Sequence, residues 1–169
     1  QKNFKMKDLG IPTSILGLRV QYSMENSELK LEQPRYIDKL LDDYDMKDCN
    51  SIATPDCKVI DEKGSLSHLH CPSNENEKNY MKDKPYRQLV GTLLWLSITT
   101  RPDLSHAVST LCRFTSNPGP KHWFSALRVL KYLKGTKNYY LSFRGGDVRY
   151  TRNDKYNDAL RLANNSLSS

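Results

Sequence analysis

Residues 86–114, YRQLVGTLLWLSITTRPDLSHAVSTLCRF, read as two consecutive helices, and that reading decides the fold. In the first, Leu89, Val90, Leu93, Leu94, Leu96 and Ile98 run nearly all the way round the cylinder, so residues 86–98 predict a helix buried on several sides. The second begins at TRPD. Thr100 followed three residues later by Asp103 has capping-box spacing, Pro102 suits an early helical position, and Arg101 and Asp103 predict a local ion pair. Leu104, Ala107, Val108, Leu111 and Phe114 then share an inward stripe until NPGP at 117–120 ends the helix.

On the carboxyl side, a third helix from Pro120 carries Trp123, Ala126, Leu127, Leu130 and Leu133 inward, with Gly135 placed as a left-handed cap. His122 reads as a surface residue at the helix start. The segment NYYLSF at 138–143 alternates like a strand, Gly145 and Gly146 mark a turn, and the polar tail predicts weak structure. On the amino side, Leu16, Leu18, Val20 and Tyr22 alternate, Glu25, Asn26 and Ser27 supply a turn, and Leu29 and Leu31 resume the alternation, which predicts a β-hairpin. Gly17 interrupts the first of these strands, where it weakens the strand unless backbone or ligand must come close. Pro34 opens an amphipathic helix to about residue 45, with Tyr36, Ile37, Leu40, Leu41 and Tyr44 opposite Asp38, Lys39, Asp42 and Asp43. From Cys49 to Asp83 no period is sustained, which predicts a long, poorly ordered connection. The expected class is α+β: a hairpin, about four helices and a short terminal strand region. The corresponding segments are 1–48, a polar loop at 49–84, a three-helix segment at 85–136, and 137–169.

Charge is unevenly distributed. Residues 101–169 hold 12 Lys and Arg against 4 Asp, a balance of +8, whereas residues 1–100 hold 14 against 15, a balance of −1. Such asymmetry suits either an electrostatic footprint on a polyanion or a solvated basic helix. No run of apolar residues is long enough to span a membrane and no secretory leader is visible, so an intracellular chain, cytoplasmic or nuclear, is expected. The chain opens at Gln1 without an initiator methionine, which suggests a piece of something longer. Cys49, Cys57, Cys71 and Cys112 form no C-x-x-C pair, and Cys112 falls on an apolar helix face. His68, His70 and Cys71, with Cys57 upstream, offer a metal-binding alternative, although ligands this close in a polar loop are common by accident.

The ordered phrases FKMKDLG (4–10), ILGLRVQ (15–21), LKLEQPRYIDKLLDDYDMKDCN (29–50), ATP (53–55), the stretch 86–114, HW (122–123) and LRVLKYLKGT (127–136) resemble the Pol polyprotein of copia-type LTR retrotransposons. The likeness runs over about residues 4–143, from the end of the reverse transcriptase palm through thumb and connection to the edge of ribonuclease H. It implies that Leu16, Gly17 and Leu18 occupy the place of a primer grip and that the helices correspond to a thumb lying along the minor groove of a template–primer duplex, RNA–DNA or DNA. A strand glycine there would let main chain approach a sugar or phosphate. Lys121, Arg128, Lys131, Lys134 and Lys137 are the candidate phosphate contacts on and just after the third helix. The expected partners are that duplex and the missing palm and fingers of the parent polymerase, with no membrane partner; the parent element would work in a virus-like particle.

The same resemblance marks what is missing. Polymerisation needs carboxylates around paired magnesium ions. In the family they lie before Gln1, so this chain is expected to hold no cofactor, Mg2+ belonging to the complete parent. Asp42, Asp43 and Asp45 read as a solvated polar face. VRYTRNDKYND at 148–158 can be laid on the first ribonuclease H strand of the family, and then Arg152 stands where a metal-binding Asp belongs. The expected function is therefore a noncatalytic duplex-gripping fragment of a reverse transcriptase. The alternative is a helical interaction module or inert transposon relic with no nucleic-acid role.

Overall fold

Short alternating segments at both ends of the chain meet in one sheet. The computed structural model describes residues 10–56 and 66–145. Strands β1 (Ser14–Ile15), β2 (Leu18–Ser23), β3 (Glu28–Glu32) and β4 (Leu141–Arg144) lie antiparallel in that order. The helices are α1 (Pro34–Asp43), α2 (Glu75–Lys82), α3 (Tyr86–Thr99), α4 (Ser105–Cys112) and α5 (Pro120–Gly135), with 3-10 turns at His68–His70 and Pro102–Leu104. The α+β class is as expected. Among the described residues no helix is long and apolar enough to cross a membrane.

In the sheet, Val20 faces Leu31 and Tyr22 faces Leu29 across β2 and β3, and Leu31 and Leu29 face Leu141 and Phe143 across β4. Period-two alternation thus gathers the apolar side chains on one face. On the other, Glu32 accepts from Arg19 Nε at 2.7 Å and Gln21 Nε2 at 3.2 Å, and Glu28 from Ser142 Oγ at 2.7 Å and Arg144 Nε at 3.2 Å. Gly17 does not interrupt a strand. Leu16 and Gly17 have φ of 50° and 81° and form the two-residue turn between Ile15 and Leu18, a geometry that demands positive φ at both positions and so favours glycine.

The core lies among the helices. Leu89, Leu93, Leu96, Leu104, Val108, Leu111, Ala126, Val129, Leu130 and Leu133 are sealed from solvent, joined by Ile37, Leu40 and Leu41 of α1. Tyr86 Oη donates to the Leu111 carbonyl at 2.9 Å inside this core, tying α3 to α4. Trp123 is buried, as the apolar stripe predicts.

Several expectations are corrected. Leu94 and Ile98 of α3 are exposed, because no element covers that side of the helix among the described residues. The Thr100–Asp103 capping box does not form; the Thr100 hydroxyl donates to Gln33 Oε1 at 2.8 Å instead, as does Thr99 at 2.9 Å. The expected Arg101–Asp103 ion pair is present at 2.8 Å, but Arg101 is 1% exposed and also donates to the carbonyl and hydroxyl of Thr136 at 3.1 and 2.6 Å. It bolts the start of α4 to the end of α5. Gly135 is the last helical residue of α5 rather than a left-handed cap; a Cβ there would stand 3.0 Å from Ser51 Cβ.

Residues 49–83 are not a featureless connection in their described part. Asn74 Oδ1 accepts from the Glu77 amide at 2.9 Å, and the Glu77 carboxylate accepts from Ser73 N and Oγ, so α2 starts on a cap rather than on an apolar stripe. His122 is fully buried, not a surface residue. Its Nδ1 accepts from the Gly119 amide at 2.9 Å, its ring stacks on Phe114 at 4.2 Å, and His70 stands edge-on at 6.2 Å. Gly119 is required there, because a Cβ would fall 2.0 Å from the His70 carbonyl oxygen. The readings made for Phe4–Leu9, Cys57, Gly146, Arg152 and the tail lie outside the described residues.

Candidate nucleic-acid interface

The β1–β2 hairpin presents its tip to solvent. Leu16 is 81% exposed and Gly17 has nothing within 4 Å of where a Cβ would stand, so main chain is accessible at the turn. A leucine at φ 50° is an unfavourable backbone state for a residue with a side chain. Its burial offsets none of that cost.

Helix α3 supplies a second surface. Arg87, Gln88, Gly91, Leu94, Trp95 and Ile98 are all exposed, and at 100° per residue they occupy one continuous third of the helix circumference. Gly91 has no neighbour within 4 Å of a would-be Cβ, leaving a flat centre between Arg87 and the apolar end at Ile98, itself 69% exposed. The opposite side, with Leu89, Leu93 and Leu96, is fully in the core. The sequence carries this division, since positions 87, 91, 94, 95 and 98 follow helical spacing; reading the helix as apolar throughout conceals it. The surface is also tied to the sheet. Gln33, between β3 and α1, receives the hydroxyl bonds of Thr99 and Thr100 at the end of α3.

The basic residues on and just after α5 do not stand together facing solvent. Arg128 donates through Nε to the Asp56 carbonyl at 2.9 Å and through Nη2 to Thr54 Oγ1 at 3.4 Å. Lys134 donates to the Cys49 carbonyl at 2.6 Å, and Lys137 pairs with Asp38 at 3.0 Å. These three hold segment 49–56 and α1 against α5. Lys121 is exposed and Lys131 half-buried, and Lys131 has no ion pair or hydrogen bond among the described residues.

The acidic and histidine candidates are also placed. Asp42 pairs with Lys47 at 2.7 Å on the surface. His68 meets Phe114 edge-on at 5.2 Å, and His70 Nδ1 accepts from the Ser67 amide at 3.1 Å. Burial, with His70 and His68 close by, pushes the His122 imidazole down to about 4. Among the described residues no group of three His, Cys, Asp or Glu is arranged to hold a metal ion, and Cys57 lies outside them.

Over 146 residues, 86% of its length, the chain is 38% identical to the retrovirus-related Pol polyprotein from transposon TNT 1-94 of Nicotiana tabacum, of which that stretch is 11%. It is 35% identical over 146 residues to a putative transposon Ty5-1 protein of Saccharomyces cerevisiae, matching 44% of that protein. It is 32% identical over 133 residues, 79% of the chain, to an uncharacterized mitochondrial protein of Arabidopsis thaliana, matching 50% of it. The chain thus spans half or less of the length of these relatives. No family model and no solved structure matches it.

Proposed function

From the premise that the chain is homologous, over most of its length, to the Pol polyproteins of copia-type retrotransposons, we propose that it is the duplex-holding part of a reverse transcriptase. The observation that carries the reading is the outward face of α3. An otherwise core-buried helix leaves Arg87, Gln88, Gly91, Leu94, Trp95 and Ile98 uncovered among the described residues. The wide, shallow minor groove of an A-like duplex offers sugar edges and 2′-hydroxyls rather than a readable base code. A flat face with glycine at its centre, apolar side chains along it and an arginine at one end suits such a surface, and tracks the duplex without selecting sequence.

The hairpin tip at Leu16, Gly17 and Leu18 is the proposed contact for the primer strand, its exposed main chain meeting sugar or phosphate. Among the cations on and just after α5, Lys121, by its exposure, and Lys131 are the proposed phosphate contacts, while Arg128, Lys134 and Lys137 tie segment 49–56 and α1 to the helix. The proposed protein partner is the palm and fingers of the parent polymerase. The apolar sheet face, with Tyr22 and Phe143 half-exposed, has the apolar character that such an association covers. Magnesium chemistry is assigned to carboxylates of that partner, and no step is routed through this chain.

Fluorescence anisotropy with a labelled RNA–DNA hybrid across a salt series tests the reading. Wild type should bind at low salt with affinity falling as salt rises, and Trp95→Ala with Arg87→Gln should weaken binding without loss of folded signal by circular dichroism. The rival reading, a helical interaction module without a nucleic-acid role, is favoured by the intramolecular use of Arg128 and Lys134 of α5 and of Lys137 just after it. Absence of binding at low salt would establish it in place of ours.

A further inference from the structure

A cleft of about 400 Å3 opens between the β1–β2 hairpin and the start of α1, on the polar side of the sheet. Its lining includes Thr13, Ser14, Arg19, Gln21, Glu32 and Arg35. Glu32 is buried, and its carboxylate is already taken by Arg19 and Gln21. Arg19 is thereby fixed in direction while half its side chain remains in solvent. Arg35 is exposed and has no ion pair or hydrogen bond among the described residues. The acid one turn along its helix, Asp38, is held by Lys137. Two guanidinium groups against one carboxylate leave the cleft with a single uncompensated positive charge, beside two hydroxyls that can donate.

The geometry points to this cleft as a seat for one phosphodiester group of the bound strand, with Arg35 as its direct ligand and Arg19 as the preset second donor. The inference rests on the duplex-holding reading and deepens it, assigning to the hairpin a charged contact that the tip residues Leu16, Gly17 and Leu18 lack. A monoanionic phosphodiester matches the charge left over, and planar guanidinium groups suit paired phosphate oxygens better than a lysine would. The cleft lies one residue pair below the hairpin tip, so a strand lying along the turn passes its mouth.

The test uses the full chain, a labelled RNA–DNA hybrid, and hybrids in which single phosphates of the primer strand are replaced one at a time by neutral methylphosphonates. Arg35→Gln should weaken binding and make the dependence of log affinity on log salt shallower by roughly one unit, the value of one lost phosphate contact. One methylphosphonate position near the primer end should weaken wild type clearly more than Arg35→Gln, in which only Arg19 still meets that phosphate. Because Arg35 is exposed, the variant should keep wild-type thermal stability. Wild type that binds the hybrid while Arg35→Gln retains its affinity, salt slope and methylphosphonate profile overturns this inference alone. Wild type that binds no hybrid overturns the duplex-holding reading and this inference with it. Displacement of the hybrid by inorganic phosphate at matched ionic strength, abolished by Arg35→Gln, would make the cleft a free-anion site and overturn the strand assignment.

Discussion

Replacing Arg101 with methionine removes the most buried cation of the described chain while keeping most of its apolar bulk. Four bonds go: two to Asp103 at 3.1 and 2.8 Å, one to the Thr136 carbonyl at 3.1 Å and one to its hydroxyl at 2.6 Å. The packing of the guanidinium over Tyr132 and Tyr139, at 5.5 and 5.4 Å from the ring centres, is lost too. Removing one member of a buried pair costs about 3–5 kcal/mol. The low end applies, because the Asp103 side chain is 34% exposed and keeps the Tyr132 hydroxyl at 2.8 Å, so water and one donor receive the stranded carboxylate. A loss of about 3 kcal/mol lowers Tm by roughly 6–12 °C in a domain of this size. Asp103→Asn should be at least as harmful, since it leaves a guanidinium buried without its counter-charge. The double variant should therefore lose clearly less than the sum of the two singles. Urea and thermal unfolding followed by circular dichroism measure all three. A single-variant loss under about 1 kcal/mol, or strict additivity, would refute the picture of Arg101 as the bolt between α4 and α5.

Three further outcomes are expected. His122 titrates at about 4 in the fold against 6.5 ordinarily, so the unfolded chain takes up the proton first. Its contribution is complete above about pH 6.5 and is lost as pH falls toward 4, at up to roughly 1.4 kcal/mol per pH unit. His122→Gln, which can still accept from the Gly119 amide, should flatten that part of the stability–pH curve, and an unchanged curve counts against the assignment. Gly119→Ala should cost about 1–3 kcal/mol in urea unfolding, through a Cβ driven onto the His70 carbonyl, and a neutral result would mean that segment 66–71 yields easily. Gly17→Ala should cost about 1 kcal/mol for the strained turn, with Gly17→Asn closer to wild type in the same assay.

The helices that pack on the core announce themselves, because burial imposes a period on their side chains. Pro34–Asp43, Ser105–Cys112 and Pro120–Gly135 are each visible as a stripe, and Tyr86–Thr99 as apolar residues nearly all the way round. Helix α2 buries only Met81 and is specified by its Asn74 and Ser73 caps, so it has no stripe to read. Alternation identifies 141–144 as a strand but says nothing of its partner. Its union with β3 is sealed by bonds such as Ser142 to Glu28, 114 residues apart. The burial of His122 is legible in its spacing, against its reading as a surface residue: with Ala126, Val129 and Leu133 it falls at positions i, i+4, i+7 and i+11, which face the core.

The candidate site was harder to see because charge in a sequence has no direction. The +8 balance after residue 100 reads as a polyanion footprint, yet Arg101, Arg128, Lys134, Lys137 and Arg144 each donate to this chain's own oxygens. Arg113 lies over the Phe114 ring. Meanwhile Arg35 and Arg87, from the half of the chain whose charge nearly cancels, have no ion pair or hydrogen bond among the described residues and are exposed. They sit at the hairpin cleft and at the head of the α3 face. Salt dependence of duplex binding should therefore respond more to Arg35 and Arg87 than to Arg128 and Lys134, whose loss should register first as instability of the 49–56 segment. Net charge by region predicts the reverse order, so the ranking of these four variants decides between charge counted along the chain and charge placed by the fold.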